Sequence, residues 1–410
     1  MDINQIIIWI IVICMLSGAV DRIIGNRFGF GEQFEEGFNA LGALALSMVG
    51  VVSIAPVLKK LLEPVITPVY EALGADPSMF ATTLLANDMG GAPLALSMAK
   101  DPDAGLLAAF ILGAMMGPTI VFTIPVALGI IDASDRQYLA KGVLAGIVTI
   151  PIGVLAGGLV AGFDTKMVFL NLIPIALAAI LIAIGLIFAP ERMTRGFEYF
   201  GKGLIAVITA GLALGVFQQL TGVRLIAMPA GAEGDPTREQ LMESNAWYID
   251  PPTEGLAIIG GIAMVLLGAF VMVFLIVKYL SKPLTKAGKV VGMNDAAAGG
   301  MIATLANNIA MFQIYKKMDP RGKILNAAFA VSAAFTFGDH LGFTAGYLEG
   351  EYKQMIFPMI VGKLLAGFTA VALAYFLFRK AFPPATGEVV DESDGLVAAG
   401  DVEKDEQASA

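Results

Sequence analysis

Apolar runs long enough to cross a lipid bilayer recur along this chain at about 3–20, 37–58, 104–131, 138–163, 167–189, 203–220, 254–279, 322–348 and 353–378. A hydrocarbon core of about 30 Å requires roughly 20 apolar residues per helix. Inside it, only helices and closed barrels satisfy their own backbone groups. Runs of this length fit helices, so the expected fold is an all-α polytopic membrane protein with nine crossings. The composition agrees, with 57% hydrophobic and 15% charged residues. Soluble domains carry about 45–50% apolar and about 25% charged residues. The charges present are too few to cover a water-facing surface.

The first run could imitate a secretory leader, with Ser17 and Ala19 as small residues near its end. Asp2 is the only charge ahead of it, and no Lys or Arg forms a basic flank. The run is therefore read as a retained membrane helix. A net charge of −9 without a basic stripe excludes nucleic-acid binding as the main activity. One cysteine, Cys14, forms no intrachain disulfide, and one histidine, His340, rules out a multi-histidine metal site. Residues 383–410 have no apolar period and concentrate acidic side chains, which is the signature of a disordered, solvated tail.

Two further stretches, 78–98 and 296–315, are long enough to cross but are interrupted by Asn87-Asp88 and Asn307-Asn308 and by glycine pairs. They are either re-entrant hairpins or full spans. Loop charge separates the options, because cytoplasmic loops carry excess Lys and Arg. With two hairpins and nine spans, one face collects 17 basic residues and the other eight. With eleven spans the two faces come out nearly equal. The hairpin reading is preferred; it puts the C-terminus in the cytoplasm and the acidic loop 221–252 outside. Segments 59–74 and 281–292 are amphipathic and Lys-bearing, and are expected at the interface.

The chain also resembles itself at a separation of 218–221 residues. Glu36-Gly37 and Gly42 recur as Glu254-Gly255 and Gly260. Gly74 and Asp76 recur as Gly292 and Asn294, and Leu85-Ala86-Asn87-Asp88 as Leu305-Ala306-Asn307-Asn308. Gly117-Pro118-Thr119 through Thr123 recurs as Gly338-Asp339-His340 through Thr344, and Leu144-Ala145-Gly146 as Leu365-Ala366-Gly367. Five crossings separate the two copies, and an odd number turns the second upside down. Inverted repeats with substrate held near the midplane by interrupted helices are a common plan of secondary transporters. The expected organisation is a first helix at 1–30, a transport repeat at 31–165, linking helices and outer loop at 166–252, an inverted repeat at 253–382, and the tail.

Polar atoms inside apolar sequence mark the candidate site. The hairpins hold Asn87-Asp88 and Asn307-Asn308; the helices after them are interrupted at Gly117-Pro118-Thr119 and Gly338-Asp339-His340. Segment 104–131 would measure about 40 Å as a helix, which leaves room for an unwound centre. Pro118 lacks an amide donor and clashes with the preceding turn. An aspartate at the bilayer centre costs about 2.5–3.5 kcal/mol unless paired or wetted. No Lys or Arg lies in these segments, so a cationic ligand is the natural partner of Asp88 and Asp339, with Asn87, Asn307, Asn308, Thr119, Thr123, Thr344 and His340 available to a hydroxyl or ammonium. The competing reading uses Asn87 and Asn307 as backbone ties, Asp88 as a cap, Asp339 with His340 as an internal ion pair, and the threonines in packing. Lys363 is read as a snorkelling lysine.

At these segments the sequence resembles the ethanolamine-utilisation transporter family of bacterial inner membranes. The resemblance rests on GEQFEEGFNALGALALSMVG (31–50), PVYEALGADPSMFATTLLANDMGG (68–91), GAMMGPTIVFTIPVALGIIDASDRQYLAKGVLAGIVTIPIG (113–153) and FTFGDHLGFTAG (335–346). It covers nearly the whole chain before the tail. It implies uptake of ethanolamine for catabolism, with no cofactor and the lipid bilayer as the surrounding partner. Oligomeric state is left open, a homo-oligomer included. A transporter of another small amine or a nucleoside-like solute and a channel are the neighbouring alternatives. A membrane-embedded enzyme is disfavoured, because no H-E-x-x-H helix, phosphate loop or Ser-His-Asp set is present.

Overall fold

A computed structural model of the chain describes residues 2–226, 247–290, 292–347 and 354–379. The acidic tail and most of the loop 221–252 lie outside the described residues. Everything described is helix, turn or extended linker. Helices α1 (Ile3–Ile23), α2 (Phe30–Ala72), α3 (Ser78–Leu84) and α4 (Gly91–Met98) lead into an irregular span, α5 (Pro102–Ile130). Then come α6 (Arg136–Val160), α7 (Thr165–Phe188) and α8 (Pro190–Thr221). After the loop follow α9 (Pro252–Val290), α10 (Asp295–Ala306), α11 (Asn308–Gln313), α12 (Pro320–Ala333), α13 (Asp339–Gly346) and α14 (Ile356–Phe378).

Eight helices among the described residues are long and apolar enough to cross a membrane. They match the expected spans except at 322–348, which is two helices, α12 and α13, of about 21 and 12 Å. Neither crosses alone; in series they have the reach. The segments expected at the interface are not separate elements. Residues 59–72 continue α2 without interruption despite Pro56, Pro64 and Pro68, so that α2 has 43 residues. The stretch after 280 continues α9, which has 39. A proline deletes one amide and loosens one turn, but where the freed carbonyl meets water or a neighbour the helix persists.

Glycines bring the long helices together. A Cβ on Gly37 of α2 would lie 2.4 Å from the carbonyl oxygen of Leu266 on α9, and one on Gly50 would lie 2.1 Å from that of Ile208 on α8. In α6 and α14, Gly153 and Gly362 face each other, each with the other's carbonyl oxygen within 2.8 Å of its missing Cβ. Small residues allow this approach where lipid supplies no hydrophobic drive between helices.

Each interrupted stretch leaves and returns to one corner. Asp76, ahead of α3, accepts hydrogen bonds from the amides of Lys100 and Asp101 beyond α4, both at 2.9 Å. Asn294, ahead of α10, donates from its own amide to Asp319 and from its side chain to the carbonyl of Lys317, both at 2.9 Å. A stretch whose ends are bonded to each other has folded back, and α3 packs on α4 as α10 packs on α11. The corners match in detail. Gly74 and Gly292 turn the chain with φ of +71° and +74°. Asp101 caps the helix starting at Pro102, as Asp319 caps the helix starting at Pro320.

Candidate functional site

The candidate residues gather where the two folded-back tips meet the two interrupted spans. In α5 the regular helix fails between Leu107 and Thr123, which alternate between wide and tight turns around Met115 and Pro118. Between α12 and α13 the helix is lost altogether. There the linker runs beside the end of α10, with Phe335 and Phe337 amides donating to the carbonyls of Thr304 and Leu305 at 3.1 and 3.0 Å. Glycine is required at both breaks by contact with the preceding tip. A Cβ on Gly117 would sit 2.0 Å from the carbonyl oxygen of Leu85, and one on Gly338 would sit 2.3 Å from that of Ala306.

Each tip also reaches the interrupted span from the other half of the chain. Asn308 Nδ2 donates to Thr123 Oγ1 at 2.9 Å. At the other tip, the turn Asn87–Met89 packs against α13. Thr119 shares its hydroxyl proton between the carbonyls of Met115 and Val331, at 2.8 and 2.9 Å, and so ties the first break to α12.

Asp88, Asp339, His340 and Lys363 converge at this junction. Asp88 lies within electrostatic reach of both Asp339 and Lys363. Both carboxylates keep partial exposure, whereas Asn87, Thr119, Thr123, Asn308, His340 and Thr344 are buried. Three buried side-chain amide atoms have no hydrogen-bond partner among the described residues; Oδ1 of Asn326 lies on α12, and the other two, Nδ2 of Asn87 and Oδ1 of Asn308, belong to the tips. Such orphans are rare in native interiors and call for an explanation. Of the tip atoms, one is a donor and the other an acceptor, a pair that suits a hydroxyl.

Other candidates turn out to be engaged locally. Asn307 caps α11 by accepting from the amide of Ile309 at 2.8 Å. Thr344 donates to the carbonyl of His340, the back-bonding typical of threonine in apolar helices. His340 does not pair with Asp339; its Nδ1 lies 2.9 Å from Lys363 Nζ.

Lys363 corrects its sequence reading. It is 1% exposed and does not snorkel. Its Nζ also donates to the carbonyl oxygen of Ala114. In a regular helix that oxygen would accept from the amide of residue 118, which is proline. The lysine on α14 therefore supplies the donor that Pro118 lacks. Lys323 is likewise buried and pairs with Asp135 at 2.7 Å, which fixes α12 to the turn ahead of α6.

The sequence profile of the family described as "Ethanolamine utilisation protein, EutH" matches residues 3–377. The "Probable ethanolamine permease EutH" of Listeria monocytogenes is 59% identical over 93% of this chain and 95% of its own length. The protein of the same name in Escherichia coli is 51% identical, over 94% and 98%. The "Uncharacterized protein YxeR" of Bacillus subtilis is 47% identical, over 92% and 95%. No solved structure matches the chain. An all-helical membrane protein with this profile along almost its whole length has a clear affiliation: the chain belongs to the EutH family of ethanolamine utilisation proteins.

Proposed function

We propose that the chain is a permease of the bacterial inner membrane that takes up protonated ethanolamine by alternating access between two inverted repeats, 31–165 and 253–382. In this reading the folded-back stretches α3–α4 and α10–α11 are re-entrant hairpins from opposite faces, residues 166–252 connect the repeats, and the C-terminus is cytoplasmic. The names of the relatives support the substrate.

The observation that carries the reading is the convergence of Asp88 and Asp339 at a junction of hairpin tip and helix break, both partly exposed beside the buried Asn87, Asn308, His340 and Lys363. A carboxylate there is costly by about 2.5–3.5 kcal/mol unless it is paired or wetted. An alkyl amine near the lysine range is protonated at neutral pH, and its ammonium is a suitable partner. The hydroxyl two carbons away can donate to Asn308 Oδ1 and accept from Asn87 Nδ2, the amide atoms of the two tips that are left without partners.

Charge also supplies a driving force. An inside-negative potential of about 100 mV favours inward movement of one positive charge by about 2.3 kcal/mol, roughly fiftyfold. The experiment is uptake of radiolabelled ethanolamine into proteoliposomes at fixed potential, with choline as competitor. Accumulation that follows the potential without sodium or a pH gradient, and weak competition by the trimethylated amine, are expected. An absolute sodium requirement rules out uniport, and choline competing as well as ethanolamine contradicts a narrow anionic site.

A further inference from the structure

Lys363 remains to be explained by more than its hydrogen bond to Ala114. A neutral donor such as Gln could serve that carbonyl, whereas burying a full charge costs several kcal/mol before compensation. The position related to Lys363 by the repeat is Gly142, which packs closely on Ile324 and Ala327 of α12. The lysine is thus an addition to one repeat only, at the point where both breaks meet. Three groups converge on it: Ala114 from α5, His340 from α13, and the charge of Asp88 from the tip between α3 and α4, with Asp339 in electrostatic reach of Asp88. From α6, Gly153 packs on Gly362, the residue before the lysine.

We propose that Lys363 sets the valence of the transported amine: its ammonium offsets one of the two carboxylates, so that the site accepts a solute with one positive charge and refuses one with two. Two carboxylates and one ammonium leave a single uncompensated negative charge in a region where unpaired charge is costly. A monocation restores neutrality. A dication overshoots by one charge and brings a second ammonium close to that of Lys363, like charges in a poorly screened space. With the lysine neutralised, the balance moves by one unit, and a diamine becomes the solute that closes it. This inference rests on the reading that the ammonium binds at Asp88 and Asp339, and it deepens that reading by assigning the residue that discriminates amino alcohol from diamine.

Propanolamine and propanediamine are matched probes, alike in length and differing in one terminal group, hydroxyl or ammonium. Each is titrated as a competitor of ethanolamine uptake by the wild type, Lys363→Gln and Lys363→Arg. Gln keeps a donor for Ala114 and removes the charge; Arg keeps the charge. The readout is the ratio of the two inhibition constants, which does not depend on how much protein is folded. The wild type and Lys363→Arg are expected to favour propanolamine, and Lys363→Gln is expected to shift the ratio toward propanediamine by at least about tenfold. If Lys363→Gln is too unstable to reconstitute, Pro118→Ala in the same chain returns a backbone donor to Ala114 and the ratio is read there. An unchanged ratio, with Asp88→Asn and Asp339→Asn still losing ethanolamine, overturns the role of Lys363 alone. If both Asp variants compete and transport like the wild type, the underlying ammonium site is wrong as well.

Discussion

Pro118→Ala and Lys363→Met form a double-mutant cycle around one carbonyl oxygen. In the native chain Ala114 O lacks its helical donor, because residue 118 is proline, and the Lys363 ammonium donates instead. Lys363→Met leaves that buried oxygen unpaired, which costs about 1–3 kcal/mol. It also deletes the contact with His340 Nδ1 and removes a desolvated charge, two effects of opposite sign that are common to both backgrounds and cancel in the cycle. Pro118 already has helical dihedrals, φ −57° and ψ −30°. An amide restored there reaches Ala114 O as Met115, at φ −127° and ψ −64°, relaxes toward the helical region. The destabilisation caused by Lys363→Met is therefore expected to be about 1–3 kcal/mol smaller in the Pro118→Ala background. Equilibrium unfolding of the four proteins in mixed micelles, followed by far-ultraviolet circular dichroism, measures it. Additive effects, agreeing within about 0.5 kcal/mol, refute the claim that lysine and proline serve one oxygen.

Asp135→Asn leaves the Lys323 ammonium buried without its anion, and thermal unfolding in detergent is expected to report a loss of about 3–5 kcal/mol, largely recovered when Lys323→Met is added. Gly338→Ala drives a Cβ against the Ala306 carbonyl and is expected to cost about 1–3 kcal/mol, while Gly129→Ala, at a site with open space, changes little; melting temperatures compare the two. Asp76→Ala removes the acceptor of the Ser78, Lys100 and Asp101 amides, so hydrogen exchange across 76–101 should accelerate while α14 stays protected.

Much of the fold was legible because bilayer thickness sets helix length directly. Runs of apolar residues at 138–163 and 167–189 become α6 and α7 almost residue for residue. The junctions were harder, since composition alone does not tell a helix that leaves the lipid from one that ends. Residues 59–72 looked like a separate amphipathic piece, yet they prolong α2, because helical hydrogen bonding continues past Pro64 and Pro68 at the loss of single bonds. At the site, Asp and Asn stood out against apolar neighbours, and Gly117 and Gly338 stood out as breaks. Asn307 gave the same signal for a different reason: a cap and a ligand both need a short polar side chain. Lys363 was misread because one lysine in an apolar run has two outcomes, outward to the headgroups or inward to a partner, and the choice depends on a residue far away in sequence. The clue was present in Pro118, which four residues earlier leaves the Ala114 carbonyl in need of a donor.

The most direct measurement is ethanolamine uptake by reconstituted Asp88→Asn and Asp339→Asn, each checked for expression and for unfolding behaviour equal to that of the wild type. An ammonium held by these carboxylates predicts that each variant raises the half-saturating ethanolamine concentration by at least about tenfold, since a charged hydrogen bond contributes about 1.5–3 kcal/mol. Two well-folded variants that carry ethanolamine with wild-type affinity and rate would contradict the anionic site at the meeting point of the hairpin tips and helix breaks.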